Sequence, residues 1–169
     1  MNNINKLRQH PFFTSLQIVA REAGSSIMAI YNKNTNNISH KADHSPLTQA
    51  DLEAHKIISQ GLKKIKDIPI ISEEGENHYT DSQNYWLVDP LDGTKEFVNR
   101  NGEFTINIAM IDKGYPMLGI VYAPISSTSY IGGLSLKSIK ISKNGCEQQL
   151  HVSVPAQKIK VVASRSHLN

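Results

Sequence analysis

Two aspartates, Asp89 and Asp92, stand on either side of Pro90-Leu91 directly after an apolar run, and Gly93-Thr94 follows them. The residue before a proline is restricted to extended backbone, so the apolar run cannot pass directly into a helix. We therefore expect both carboxylates on a tight loop at the end of a strand. Hard divalent cations bind such oxygen ligands, and a glycine before a helix start exposes backbone N–H groups to phosphate. The pattern indicates phosphoester chemistry.

A second acidic segment, Ser72-Glu73-Glu74-Gly75, ends the preceding strand pattern. For an isolated pair of glutamates, a solvated turn is the usual interpretation. Here the pair comes shortly before the Asp89–Asp92 segment, so two neighbouring strands can direct both segments to one point. Three carboxylates that converge repel one another, and bound metal ions relieve that repulsion. The two acidic segments together therefore favour a metal site over two surface turns.

Two further segments admit both a structural and a functional interpretation. Thr48 and Asp51 have the spacing of a capping box at the start of a helix, and capping is the more frequent role of such a pair. Arg165 and His167 follow the last apolar run. An arginine can bind a phosphate in bidentate fashion and a histidine can stack on a base, but polar tails without a binding role are common. Neither segment decides the function alone.

The elements that must position these residues are two helices followed by a series of strands. Apolar residues recur at helical intervals over residues 12–31 and 48–64, the second with Leu52, His55, Ile58 and Leu62 on its inner face. Residues 32–45 are polar and predict a loop. Short or alternating apolar runs predict strands at 69–72, 85–89, 104–111, 117–123, 127–133, 138–142, 149–154 and 159–164. Short connections favour antiparallel pairing, so the predicted fold class is α+β: two N-terminal helices packed on a mainly antiparallel sheet.

The overall composition excludes several classes of protein. The chain has 169 residues, 39% of them hydrophobic and 20% charged, and its net charge of +3 is too small to favour nucleic acid. The single Cys146 permits no internal disulfide, which suits a reducing compartment. Since no apolar run approaches the length of a membrane span, we expect a cytoplasmic protein without an integral membrane segment, with at most a peripheral contact at the inner membrane.

In this order, the segments resemble the inositol-monophosphatase-like family of magnesium-dependent, lithium-sensitive phosphatases. Lys41-Ala42-Asp43, residues 45–51, Ser72-Glu73-Glu74 and residues 89–94 carry the resemblance, the last with the family pattern Asp-Pro-apolar-Asp-Gly-Thr. Residues 93–97, 101–109, 119–124 and 164–167 narrow it to the 3′(2′),5′-bisphosphate nucleotidase branch. Enzymes of that branch remove the 3′-phosphate of adenosine 3′,5′-bisphosphate in sulfur metabolism. The resemblance implies the N-terminal part of the layered αβαβα sugar-phosphatase fold and a small nucleotide bisphosphate as substrate.

The same resemblance implies a set of metal ligands. Glu73, Asp89 and the backbone carbonyl of Leu91 match the ligands of a first magnesium ion. Asp89 matches the bridge to a second magnesium, which Asp92 also holds, and Glu73 serves a third, weaker position. The implied cofactor is therefore Mg²⁺, as two or three ions in each site.

The resemblance also implies catalytic and substrate-binding roles. Asp51 and Thr94 match the pair that orients and deprotonates a metal-activated water, and Glu74 supports the site from behind the ligands. The backbone N–H groups of Gly93 and Thr94 hold the phosphoryl oxygens, and no covalent intermediate with the enzyme is implied. The residues matched to substrate binding are Glu73, Leu91, Asp92, Gly93, Thr94, Lys95, Arg165 and His167.

The family continues into a second αβ domain, whose Trp-Asp motif supplies another ligand of the second metal. This chain has one tryptophan, Trp86, and no Trp-Asp pair. We therefore expect residues 1–157 to form an N-terminal phosphatase domain, and residues 158–169 to be the first strand of a C-terminal domain that is otherwise missing. An unpaired strand at 159–164 favours self-association through its edge, and an incomplete site predicts a severe loss of rate.

Two alternatives stay open on the sequence. The metal site is indifferent to the rest of the substrate molecule, so an inositol phosphate or a sugar bisphosphate is a second substrate class. Otherwise, the chain is a catalytically inactive remnant that binds only metal or a partner.

Overall fold

The computed structural model describes residues 3–33, 38–40, 46–76 and 79–152. Several sequence predictions lie outside these residues. They are the family segment Lys41-Ala42-Asp43, the predicted strand at 159–164, and the candidate substrate contacts Arg165 and His167.

Two long helices, α2 and α3, and two short ones, α1 and α4, are present in the described residues. Helix α1 covers Asn3–Arg8, α2 Phe13–Lys33, α3 Gln49–Ile65 and α4 Thr94–Val98. The two predicted helices are confirmed as α2 and α3, whereas the short N-terminal α1 was not predicted. No helix in the described ranges is long and apolar enough to cross a membrane.

Helix α3 buries a narrower face than its sequence predicts. Ala54, Ile58 and Leu62 recur every fourth residue and are fully buried, but Leu52 is 49% exposed. Leu52 and Ala54 are two positions apart, and two steps of an α-helix turn the side chain about 200° to the opposite side. The placement of Leu52 on the inner face was therefore wrong.

Within the described part of the chain, a seven-stranded sheet forms the body of the fold. Its strands, in spatial order, are β3 Ile70–Ser72, β4 Asn84–Asp92, β5 Thr105–Asp112, β6 Tyr115–Ala123, β7 Thr128–Gly132, β8 Ile139–Ile141 and β9 Glu147–Gln149. Only β3 and β4 pair in parallel, and each later strand pairs antiparallel with the one before it. The α+β class with a mainly antiparallel sheet is confirmed.

A separate two-stranded hairpin precedes α3. Strand β1, Ile38–His40, pairs antiparallel with β2, Pro46–Thr48. The sequence predicted a loop over residues 32–45, because three-residue strands are too short to show an alternating pattern. This hairpin leads the chain directly into the first residue of α3.

The core lies between the sheet and the helix pair α2–α3. Helix α2 packs on β5 and β6, and α3 packs on β4. The rings of Tyr31, Phe97 and Phe104 meet with centroids 5.2 to 5.3 Å apart, which joins α2 to the segment around α4. Gly24 lets α2 approach the sheet, since a Cβ at this position would lie 2.4 Å from the ring of Tyr122.

The other face of the sheet is partly exposed. An apolar groove of about 590 Å³ runs across it, from Asp89 and Asn107 to Leu150. Along the groove, the side chains of Leu87, Val121 and Tyr130 are 39 to 46% exposed. The helices thus cover one face of the sheet, and the groove on the other face reaches the acidic segment of β4.

Candidate active site

Strand β4 does not end before the two aspartates. It runs through Pro90 to Asp92, so the expectation of a tight loop at the end of a strand was wrong. Asp89 lies opposite Asn107 and Asp92 lies opposite Thr105. Asp89 and Asp92 are three positions apart on β4, whereas their partners Asn107 and Thr105 are two positions apart on β5. Strand β4 therefore contains one extra residue here, which is a β-bulge. A bulge tolerates a proline because the ladder there needs no N–H donor.

The bulge explains how two aspartates three positions apart can serve one site. In a regular strand, residues separated by three positions point to opposite faces. The extra residue of the bulge removes this separation, and the charge of Asp92 acts directly on Asp89. Within the bulge, Oδ1 of Asp89 accepts a hydrogen bond from the backbone N–H of Leu91 at 3.2 Å.

The parallel pairing of β3 with β4 brings the second acidic segment to the same place. Ser72 lies opposite Val88, and the N–H of Glu73 donates to the carbonyl of Val88 at 3.2 Å. Glu73 therefore follows its strand beside Asp89, as the sequence predicted. Burial, the charges of Glu73 and Asp92, and a hydrogen bond with Glu73 raise the pKa of Asp89 from 3.8 to about 7. Asp89 therefore holds its proton more tightly than an ordinary aspartate does.

Asp51 joins the start of α3 to the segment after the bulge. It is 1% exposed, and its Oδ2 accepts hydrogen bonds from the N–H and the hydroxyl of Thr48 at 2.8 and 2.5 Å. Its Oδ1 accepts from the hydroxyl of Thr94 at 3.1 Å. Burial raises the pKa of Asp51, while these hydrogen bonds oppose the rise. The capping box is confirmed, and the same carboxylate also contacts Thr94.

The hydroxyl of Thr94 has a second acceptor within reach. Its Oγ1 lies 3.2 Å from the backbone carbonyl of Leu91, in addition to the contact with Asp51. A hydroxyl has one proton to donate, so the two acceptors compete for it. Thr94 therefore connects the buried Asp51 with the backbone of the bulge.

Gly93 occupies a position that only glycine fits. Its φ of 92° is left-handed, and a Cβ there would lie 2.8 Å from the carbonyl oxygen of Glu103. The residue is the N-cap of α4, which begins at Thr94. The helix start that the sequence predicted after the acidic segment is confirmed, and Lys95 is exposed on its first turn.

Glu74 lies apart from the other predicted catalytic residues. It is half-buried and lines a polar cleft of about 690 Å³ together with His55, Ser59 and Lys63. Asp51, Asp89 and Thr94 do not line that cleft. Arg165 and His167 lie outside the described residues.

Two polar residues of β5 belong to the site and were not identified from the sequence. Nδ2 of Asn107 donates to Oδ2 of Asp92 at 3.0 Å, and Oδ1 of Asn107 accepts from the hydroxyl of Thr105 at 3.2 Å. In the sequence, both appear only as the outward positions of an alternating strand. The pairing of β5 with β4 is what places these two residues beside the aspartates. That pairing depends on a strand register that a single sequence does not reveal.

The donor chemistry of this region suits a hard cation. Three carboxylates, Glu73, Asp89 and Asp92, interact, and burial together with the charges of Glu73 and Asp92 raises the pKa of Asp89. A bound cation would relieve this repulsion, and hard divalent cations prefer such oxygen ligands. Within the described residues, however, no three acidic, histidine or cysteine side chains are already gathered closely enough to hold one ion. The residue types therefore fit a divalent cation, and their side chains would have to close around it.

Comparison with known proteins supports this interpretation of the region. The sequence matches the inositol monophosphatase family over residues 9–168. The chain belongs to this family.

Members of the inositol monophosphatase family with similar sequences are named 3′(2′),5′-bisphosphate nucleotidase CysQ. The protein of that name from Escherichia coli O6:H1 is 47% identical over 158 residues, which cover 88% of this chain and 61% of the relative. The one from Buchnera aphidicola is 44% identical over 156 residues, or 89% of this chain and 58% of the relative. The chain thus spans about three fifths of the curated relatives it matches.

The fold of a solved family member is also similar. The crystal structure of CysQ from Bacteroides thetaiotaomicron, described as a bacterial member of the inositol monophosphatase family, matches with a TM-score of 0.73 and 34% identity. The match covers 94% of this chain and 65% of that one. The arrangement of helices and sheet is therefore that of the family.

Proposed function

We propose that this chain carries the metal-dependent phosphatase centre of a 3′(2′),5′-bisphosphate nucleotidase. Its substrate would be adenosine 3′,5′-bisphosphate, which is hydrolysed to AMP and phosphate. The observation that carries the proposal is the meeting of Asp89 with Glu73 and Asp92 beside the Asp51–Thr94 pair, in a chain 47% identical to proteins named for that activity.

Glu73, Asp89, Asp92 and the carbonyl of Leu91 are the residues that would hold the cations, which we propose to be two or three Mg²⁺ ions. When bound, the ions would neutralise negative charge and lower the pKa of water. The carboxyl group of Asp89 has a pKa of about 7 and must lose its proton before it can act as a ligand.

Thr94 and Asp51 would position the attacking water and accept its proton. When Oγ1 of Thr94 donates its proton to Asp51 and not to the carbonyl of Leu91, its lone pairs are free to accept a hydrogen bond from water. As the water attacks phosphorus, its proton passes to Oγ1 of Thr94, and the hydroxyl proton of Thr94 passes to Asp51. The bond from phosphorus to the 3′-oxygen breaks in the same step, and the 3′-oxygen takes a proton from solvent water to become the 3′-hydroxyl of AMP. Burial raises the pKa of Asp51 and so makes it a stronger base than an ordinary aspartate.

The remaining roles concern the substrate. We propose that the N–H groups of Gly93 and Thr94 hold the phosphoryl oxygens, with Lys95 beside them on α4. Glu74 would support the acidic turn from the neighbouring polar cleft. Arg165 and His167 remain proposed contacts to the nucleotide.

The test is phosphate release with Mg²⁺ from adenosine 3′,5′-bisphosphate and, in parallel, from an inositol monophosphate. We expect faster release from the nucleotide, inhibition by Li⁺, and no release by Asp89→Asn. Asp67→Asn, which changes an exposed aspartate outside the acidic cluster, is the matched control and should keep the parent rate.

Two results would contradict the proposal. A parent rate equal to that of Asp89→Asn would mean that this chain is an inactive remnant. Faster release from the inositol phosphate would overturn the assignment of the substrate but retain a phosphatase.

A further inference from the structure

Helix α3 contacts both acidic segments through two side chains one helical turn apart. Asp51 accepts a hydrogen bond from Thr94, which follows the bulge of β4. Four residues later, Nδ1 of His55 lies 2.8 Å from Oγ of Ser72, the residue directly before Glu73. Side chains at positions i and i+4 project from the same face of a helix. One helix face therefore reaches both sides of the acidic cluster.

The contact with Ser72 joins a short turn, residues 72–75, to α3. The N–H of Gly75 donates to the carbonyl of Ser72 at 3.0 Å, and the N–H of Glu73 donates to Val88 at 3.2 Å. These two bonds hold the backbone of the turn to itself and to β4. The hydrogen bond between His55 and Ser72 joins this turn to α3 through their side chains.

Burial makes this link costly to break. Ser72 is 1% exposed, so its hydroxyl has little access to water if the imidazole is removed. The ring of His55 also lies against the turn, because a Cβ built on Gly75 would be 3.5 Å from Cε1 of His55. Without the ring, the hydroxyl of Ser72 loses this partner and the turn loses its side-chain contact with α3.

The same geometry argues against a catalytic role for His55 itself. A histidine beside a serine can activate a nucleophile, but the buried Oγ of Ser72 cannot reach a substrate. The ring belongs to the cleft that Glu74 and Lys63 line, and Asp89 and Thr94 do not line that cleft. The effect of His55 on the site therefore passes through Ser72.

We propose that His55 is a positioning residue, which through Ser72 holds Glu73 beside Asp89 so that both carboxylates bind the same divalent cation. This inference rests on the proposed function. Loss of the contact should weaken cation binding, whereas the Asp51–Thr94 pair keeps its own hydrogen bond and continues to position water. Loss of the contact should therefore raise the metal concentration needed for half-maximal phosphate release. The maximal rate of phosphate release at saturating metal should change less.

The test uses Mn²⁺ as the probe, titrated into the full chain and followed by the loss of the electron paramagnetic resonance signal of free Mn²⁺. We expect His55→Ala and Ser72→Ala each to weaken binding on the order of 10-fold. The double variant should be no weaker than either single one, because both remove the same bond. His55→Asn, whose amide can occupy the position of Nδ1, should restore most of the affinity.

His10→Ala is the matched control for general destabilisation. His10 is also half-buried, and its Nδ1 accepts a hydrogen bond from the N–H of Phe12 at 3.3 Å, outside the acidic cluster. The His10→Ala variant should have a lower melting temperature than the parent and the same affinity for Mn²⁺. Parent-like affinity in His55→Ala would overturn the positioning role alone. Absence of Mn²⁺ binding by the parent would overturn both this inference and the proposed function.

Discussion

At the scale of single residues, the acidity of Asp89 connects the proposed site with the stability of the fold. Its pKa is about 7 in the folded chain because burial and the charges of Glu73 and Asp92 oppose its ionisation. In the unfolded chain, the carboxyl returns to its ordinary value of 3.8. The folded state thus binds the proton more tightly, so this group costs no stability below the unfolded pKa. Its cost grows as the pH rises toward 7 and then stays constant.

Asp89→Asn removes this cost, because an amide does not ionise. In the presence of a chelator, we expect the variant to melt at a higher temperature than the parent at about pH 8, with a difference that shrinks toward about pH 4. Thermal unfolding followed by circular dichroism measures this, with Asp67→Asn as the control that should follow the parent. A variant that melts below the parent at the higher pH would show that the acidic cluster carries no repulsive cost.

At the scale of elements, the start of α3 has two functions that share one carboxylate. Asp51 accepts from the N–H of Thr48 as half of a capping box, and it accepts from Thr94 as part of the proposed site. The hydroxyl of Thr48 in turn donates to Asp51 and accepts from the N–H of Ala50. The geometry of the proposed base therefore depends on how the helix is capped.

Thr48→Ala should lower the free energy of unfolding by about 0.5–2 kcal/mol, the range for loss of an N-cap side chain. It also removes one of the three hydrogen bonds to Asp51, so the rate of phosphate release should fall. Urea denaturation measures the first effect. Thr48→Ser keeps the hydroxyl and is expected to stay close to the parent in both measurements, and equal losses in the two variants would contradict the role of the hydroxyl.

At the scale of the whole molecule, the proposed site ties together elements that are far apart in the sequence. Asp51 belongs to α3, Glu73 follows β3, and Asp89 belongs to β4. A cation that is held by Glu73 and Asp89 in the folded state, and not in the unfolded state, stabilises the entire fold. Protons compete with the cation for Asp89, so this stabilisation should depend on pH.

Saturating MgCl₂ should raise the melting temperature of the chain, by the equivalent of about 2.7 kcal/mol when the metal is at 100 times its dissociation constant. The increase should be larger at about pH 8 than at about pH 5.5, because Asp89 is charged only at the higher value. Differential scanning calorimetry measures it, with NaCl of equal ionic strength and Asp89→Asn as controls. An equal increase with NaCl would indicate general screening and contradict a bound ion.

Much of the fold could be predicted because its signals are local. The apolar stripe of α2 lies within a few helical turns. The alternation of Ile106, Ile108 and Met110 lies within β5, with Phe104 directly before it, and these four side chains are buried. The β1–β2 hairpin and α1 were missed because such short elements contain too few residues to show a period. Strand β9 begins at Glu147, two residues before the predicted start.

The linear order of residues already shows which chemical groups are available: two acidic segments, a glycine with a helix start after it, and a threonine and an aspartate that match a known family. How these groups meet depends on the folded chain. The bulge in β4, the parallel partnership of β3, and the contacts of α3 with Thr94 and Ser72 join residues 43 and 17 positions apart. The physical reason is that strand register and helix packing are set by burial of the whole core. The neighbours of a single motif do not specify where a distant segment will lie.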